Sequence, residues 1–273
     1  MRILLLVFCL QPLLVQAAPR VITSIAPLFE VTSAVMQGVG KPQLLIEEGS
    51  DAHHYSFKPS QMRLLQQAEL VIWIDRGFET GLHKLTQVLP QAVSQLELKP
   101  ALGIAGNDGH IWYSSRLLEQ MAERISAELQ RIDPANAPAY QSNREHIGAQ
   151  LRAWRSEKLE PLQRLQPKFI TEHDFLGHFA SDSGIHALAS LFDSHDQPGS
   201  LGELSRLEKQ LQQNPVACLI TLEVTPSALA QKLALKYRLK IININPAIDT
   251  NSGGAGILRR LDRLTESLSS CLI

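Results

Sequence analysis

Three histidines carry the chemistry this chain could do. His53 lies in Asp51-Ala-His-His-Tyr-Ser, His110 in Asp108-Gly-His-Ile-Trp and His173 in Thr171-Glu-His-Asp. Neutral imidazole is the commonest side-chain metal ligand. Three such nitrogens converging at about 2.0–2.1 Å make most of a tetrahedral zinc site with one position left over. Each histidine sits beside a turn or a strand end, so the flanking elements decide whether they meet.

Short apolar runs alternate with amphipathic stretches along most of the chain. Strands are expected at 20–23, 43–46, 70–74, 168–171, 187–191, 216–222 and 240–244. Helical patterns fall at 27–37, 59–67, 78–88, 115–131, 175–182, 201–212, 226–237 and 257–268. Strands followed by helices of this length give parallel sheets covered on both faces. The middle differs. Asp133-Pro-Ala-Asn-Ala-Pro marks a turn, and 139–165 reads as one long helix that Pro161 kinks or ends. The fold expected is α/β, two lobes each with a mostly parallel sheet flanked by helices, joined by one long connecting helix. The divisions are 1–17, 18–136 for the N-terminal lobe, 137–166 for the connecting helix and 167–273 for the C-terminal lobe.

In open α/β sheets, ligands bind outside the carboxyl ends of the strands. His173 falls just past the strand 168–171. His53 follows the strand 43–46 and precedes the helix at Pro59, and His110 follows a Gly-Asn-Asp-Gly loop and precedes the helix at Ser115. Two candidates come from the first lobe and one from the second, so their meeting place is the cleft between lobes.

Composition bounds the rest. The chain has 273 residues, 44% apolar and 19% charged, with a formal net charge of −1, as in soluble globular proteins. It shows no Lys/Arg cluster, which argues against nucleic acid as a partner. Arg2, the apolar run 3–14 and Val15-Gln16-Ala17 read as a cleavable export signal, with the mature chain starting near Ala18. That run is too short to span a bilayer, and no later stretch approaches the roughly 20 apolar residues needed. Cys9 lies inside it after bulky Phe8, a poor site for lipid attachment. Cys218 and Cys271 remain. An oxidising compartment favours a disulfide between them, tying the last helix to an interior strand, with two buried free thiols as the alternative.

The histidine segments resemble a known family, the periplasmic metal-binding proteins of ABC importers for zinc and manganese, closest to the zinc-uptake type. Gly49-Ser-Asp-Ala-His-His-Tyr-Ser-Phe-Lys-Pro-Ser is similar to its first ligand loop, and Gln-Ala-Glu-Leu-Val-Ile-Trp with Glu79 continues the pattern. Asp108-Gly-His-Ile-Trp-Tyr-Ser is similar to the second motif, usually Asp-Pro-His-Ile-Trp, and Thr171-Glu-His-Asp-Phe-Leu-Gly-His-Phe to the third. The likeness covers nearly the whole mature chain. It implies that His53, His110 and His173 are metal ligands and that the cysteines match a disulfide of zinc-binding members. It further implies a monomeric, non-enzymatic periplasmic receptor that captures zinc between its lobes and delivers it to an inner-membrane ABC permease.

The chain departs from the pattern in three places. Ile244-Asn245-Pro246-Ala247 stands where the family often has Asp-Pro-Leu-Gly, whose aspartate is a fourth ligand. Ala52 stands where some members have an acidic residue, and 101–109 is short and free of histidine. The fourth position then falls to water, Asp249 or Asn245. Glu223 is structural or holds a ligand histidine, a task open also to Asp108 and Asp174. His54 reads as an exposed loop residue, His178 as packing or as a support for a ligand, and His83, His146, His186 and His195 as surface or cap residues. Three imidazoles suit zinc or copper, whereas manganese favours oxygen, and loss of the usual aspartate tilts the reading toward zinc. Competing functions are a metal-dependent adhesin, a periplasmic zinc buffer and a zinc hydrolase; against the last, there is no His-Glu-x-x-His helix and no identifiable general base. The long connector predicts little hinge motion.

Overall fold

The structure, a computed structural model, describes residues 17–47, 49–193, 200–222, 225–244 and 255–272. The first half runs β1 (Val21–Thr23), α1 (Ala26–Val35), β2 (Gln43–Leu44), α2 (Pro59–Gln67), β3 (Leu70–Trp73), α3 (Thr80–Thr86), β4 (Ser94–Glu97), α4 (Leu98–Ala101) and α5 (Ser115–Ile132). The long connector follows as α6 (Ala137–Trp154), a π-helical stretch Arg155–Leu159 and α7 (Glu160–Leu165). The second half runs β5 (Phe169–His173), α8 (Gly177–Ser183), β6 (Ser190–Phe192), α9 (Leu201–Gln213), β7 (Cys218–Thr221), α10 (Ala228–Tyr237), β8 (Lys240–Asn243) and α11 (Ala255–Ser269).

Each half builds a four-stranded parallel sheet, ordered β2-β1-β3-β4 in the first and β6-β5-β7-β8 in the second. The inner strands β1, β3, β5 and β7 are buried along their whole length, as strands covered on both faces must be. Their side chains alternate between two cores. Val21, Leu70, Ile72, Phe169, Cys218 and Ile220 point into one large core that continues from one half into the other. Ile22, Val71 and Trp73 face a smaller outer core in the first half, and Ile170 and Leu219 face another in the second.

The connector is continuous from Ala137 to Leu165, as the sequence pattern predicts, but it changes pitch. Proline lacks an N–H and its ring presses on the carbonyl one turn back. The five π-helical residues just before Glu160-Pro161 are the local widening that lets the helix carry this proline without stopping. β4 and α4 were not expected from the sequence. β4 is a half-exposed edge strand with only Leu96 as a hydrophobe, so its alternation is faint.

α11 binds the halves together. Arg260 forms a two-pronged ion pair with Glu30 of α1, both contacts 3.0 Å, with both side chains buried. Trp154 of α6 donates to Asp262 at 3.0 Å. Just beyond α11, Cys271 is bonded to Cys218 of β7, so the expected disulfide is present. Gly256 allows the close approach of α11 to α1, since a Cβ there would lie 2.7 Å from the Glu30 side chain.

Candidate metal centre

His53 lies between β2 and α2 and is fixed through its backbone. Its N–H donates to Asp51 Oδ1 at 2.8 Å, and its carbonyl accepts from Thr80 Oγ1 at 3.1 Å. The far end of the loop is held by Gln61 of α2, which accepts from the Lys58 N–H and donates to Leu45 O and Tyr55 Oη. His110 follows a loop with positive φ at Gly103 and Gly106, a conformation glycine adopts at little cost. Asp108 Oδ1 accepts both from the His110 N–H and from its Nδ1, each at 2.9 Å. That carboxylate keeps the proton on Nδ1 and turns the Nε2 lone pair away from it. His173 is placed differently: it is the last residue of β5, paired with Phe192 of β6, rather than lying past the strand as the sequence suggested.

The rings meet between the halves. His110 Nε2 and His173 Nε2 are 3.3 Å apart, with ring centroids at 5.1 Å; the His53 centroid is 6.0 Å from that of His110. All three are nearly shielded from water, at 8%, 2% and 4% exposure for His53, His110 and His173. They line one cavity of about 250 Å³ with Phe78, Trp112, Tyr113 and Arg260. Among the described residues, no three His, Cys, Asp or Glu side chains are already drawn together as an ion would hold them. The contact pair is His110 with His173, and His53 stands beside it.

Phe78 keeps the group in order. Its ring meets His53 edge-on at 4.2 Å and His110 at 5.3 Å. The glycine before His110 is required by this ring, because a Cβ on Gly109 would come within 2.2 Å of Phe78. Gly177 plays a similar part across the cleft, where a Cβ would press on Asp108 Oδ2 at 2.8 Å.

Burial, followed by the neighbouring His110 and His53, pushes the His173 pKa down to about 3, so this ring is neutral and able to ligate. For Asp108, burial raises the pKa, but the hydrogen bonds from the His110 ring and backbone outweigh it and hold the carboxyl below its ordinary range. Burial and the nearby Asp108 raise that of Asp174. Of Asp108 and Asp174, two carboxylates the sequence offered as holders of a ligand ring, Asp108 engages one, whereas the half-covered Asp174 keeps a side chain that is largely open to water. Glu79 is fully buried, its pKa raised to about 8, and it accepts from the Ile74 N–H behind Phe78.

The remaining histidines sort cleanly. His54 is exposed and pairs with Asp51 Oδ2 at 2.9 Å. His178 donates from Nε2 to the Asp108 carbonyl at 3.1 Å, supporting the loop that carries His110. His83 stacks on Trp73. His195, Glu223, Asn245 and Asp249 lie outside the described residues. The sequence reading did not single out Phe78 or Gly109. The glycine in place of the family's usual proline was the signal available for both.

A family model described as "Zinc-uptake complex component A periplasmic" matches residues 21–271, nearly the whole chain. The chain belongs to this family. Among relatives, it is 26% identical to the high-affinity zinc uptake system protein ZnuA of Yersinia pestis, over 93% of this chain and 89% of the relative. It is 23% identical to the protein of that name from Brucella abortus, over 92% and 91%. Solved structures share the fold. AdcAII of Streptococcus pneumoniae superposes with a TM-score of 0.81 at 16% identity, covering 93% of this chain and 99% of that one. The laminin-binding protein of Streptococcus agalactiae, described as having adhesin and metal-transporting activity, gives 0.82 at 18%, covering 92% and 98%. A manganese-bound periplasmic protein from Candidatus Liberibacter asiaticus gives 0.79 at 17%, covering 92% and 99%.

Proposed function

We propose that this chain is a periplasmic solute-binding protein that holds one zinc ion between His53, His110 and His173 and hands it to an ABC importer permease. In this reading, lobes 18–136 and 167–273 flank the connecting helix 137–166. The observation that carries it is the 3.3 Å between His110 Nε2 and His173 Nε2. Two ligands of a tetrahedral zinc at about 2.0–2.1 Å stand about 3.3–3.4 Å apart. With Asp108 keeping the His110 proton on Nδ1, the contact is bridged by one hydrogen, and the ion takes its place. His53 then closes on the pair, and water, Asp249 or Asn245 fills the fourth position.

Imidazole donors favour zinc over manganese, whose preference is for oxygen. The family membership supports export to the periplasm and delivery to a permease, and transport of a captured ion needs no catalytic group. The test is metal analysis and titration of the purified protein and of His53→Ala, His110→Ala and His173→Ala. The wild type is expected to hold about one zinc per chain, and each variant to lose on the order of 1,000-fold in affinity, one ligand's share of the binding energy. Near-stoichiometric zinc in any two variants would refute the site. An adhesin would instead bind laminin with or without a permease partner, which a surface-binding assay separates from uptake.

A further inference from the structure

Lys99 is a lysine that water does not reach: its side chain is 3% exposed. The ammonium contacts Asp75 Oδ2 at 2.7 Å and donates to the Gly106 carbonyl at 2.9 Å. Its backbone is engaged as well, with the N–H donating to Ile74 O and the carbonyl accepting from the Ile104 N–H. One residue therefore joins two separate turns. In the first, Asp75 Oδ1 accepts from the Gly77 and Phe78 N–H groups and sets Phe78 against the His53 and His110 rings. The second, 103–110, carries Asp108 and ends on His110.

A buried ion pair is a weak way to gain stability, because the desolvation cost offsets much of the attraction, and an apolar pair of similar size commonly serves better. What such a pair does well is fix geometry, since an ammonium shared between a carboxylate and a carbonyl tolerates little displacement. Here the two groups it fixes lie on the two turns that touch across Gly109, where the fit between loop and Phe78 leaves no room for a Cβ. We propose that Lys99 is a positioning residue for metal capture: by locking the Phe78 turn to the His110 loop, it sets the direction of the His110 nitrogen and the spacing of His53 from it. This rests on the zinc-receptor reading above.

The test uses Lys99→Met, similar in length without the charge, and Asp75→Asn, which keeps the Oδ1 acceptor for Gly77 and Phe78 but removes the charge partner. Leu219→Ala, in the outer core of the second half, is the control for general destabilisation. Zinc affinity is measured by competition with a chromophoric chelator, site geometry by the visible spectrum of cobalt(II)-loaded protein, and metal-free stability by thermal unfolding. Lys99→Met and Asp75→Asn are expected to bind zinc about 10- to 100-fold more weakly, the range for supporting groups around a metal, with an altered cobalt spectrum. Leu219→Ala is expected to lower the unfolding temperature while its affinity stays within about twofold of wild type. Wild-type affinity and spectrum in Asp75→Asn, or in a folded Lys99→Met, would overturn the proposal, as would an equal loss in Leu219→Ala. A wild-type protein that binds no zinc would strike the receptor reading instead.

Discussion

The two sheets share one plan and present their histidines by different means. Each has four parallel strands with the first strand second in order, and each turns one face to the common core. In the first half the candidate ligands ride on loops, and a set of short hydrogen bonds does the aiming: Asp51 and Thr80 for His53, Asp108 for His110. In the second half His173 belongs to a strand, and the ladder to β6 and the surrounding core hold it. A strand residue inherits its position from the whole sheet, whereas a loop residue has only its immediate partners. Perturbing the second half should therefore cost stability first, and perturbing the first half should cost affinity first.

The largest effect that sharpens this contrast is loss of the disulfide. Replacing Cys218 and Cys271 by serine is expected to lower unfolding free energy by ~4 kcal/mol in the chain-entropy account. Urea titration of the metal-free protein measures it, and zinc affinity should change little. A parallel collapse in affinity would break the contrast.

Acidity separates the halves next. His173 has a folded pKa of about 3 against 6.5 for the free side chain, so the unfolded chain takes its proton first. Its contribution is intact above about pH 6.5 and is lost as pH falls toward 3. Glu79 runs the other way: with a folded pKa of about 8 against 4.5, its contribution is intact below about pH 4.5 and is lost as pH rises toward 8. Unfolding temperatures of the metal-free protein across this range should show both slopes. His173→Gln should flatten the acid side alone, and Glu79→Gln the alkaline side alone.

Smaller effects fall on the loops. Asp108→Asn keeps the size of the side chain but weakens the carboxylate's hold on His110 Nδ1, and zinc affinity should drop about 10- to 100-fold with little change in metal-free stability. Thr80→Val removes the hydroxyl that steadies the His53 carbonyl. About 1 kcal/mol, or roughly fivefold in affinity, is the expected loss, readable by calorimetry.

Much of this arrangement was legible in the sequence because periodicity and turn residues are local signals. The limits 59–67 for α2 are those observed, since Pro59 opens that helix and Ala68 closes it. The long connector and both sheets were likewise foreseen, because buried parallel strands such as Leu70–Trp73 are unbroken apolar runs. What escaped depends on contacts distant in sequence. Nothing in the Lys99 side chain distinguishes a buried cation from a surface one, and nothing near Phe78 announces that it fills the space a Cβ on Gly109 would take. The three motifs singled out the histidines as candidates, but the 3.3 Å between His110 and His173 arises only when two sheets meet.

The pairing of Glu30 with Arg260 spans 230 residues. A polypeptide made from its N-terminus onward presents α1 long before its partner emerges. Until Arg260 arrives, the Glu30 carboxylate has no guanidinium to meet it and must stay hydrated, so the first helix cannot seal against the rest of the molecule. The contact that joins α1 to α11 is therefore one that the chain can complete only when almost all of it has been made.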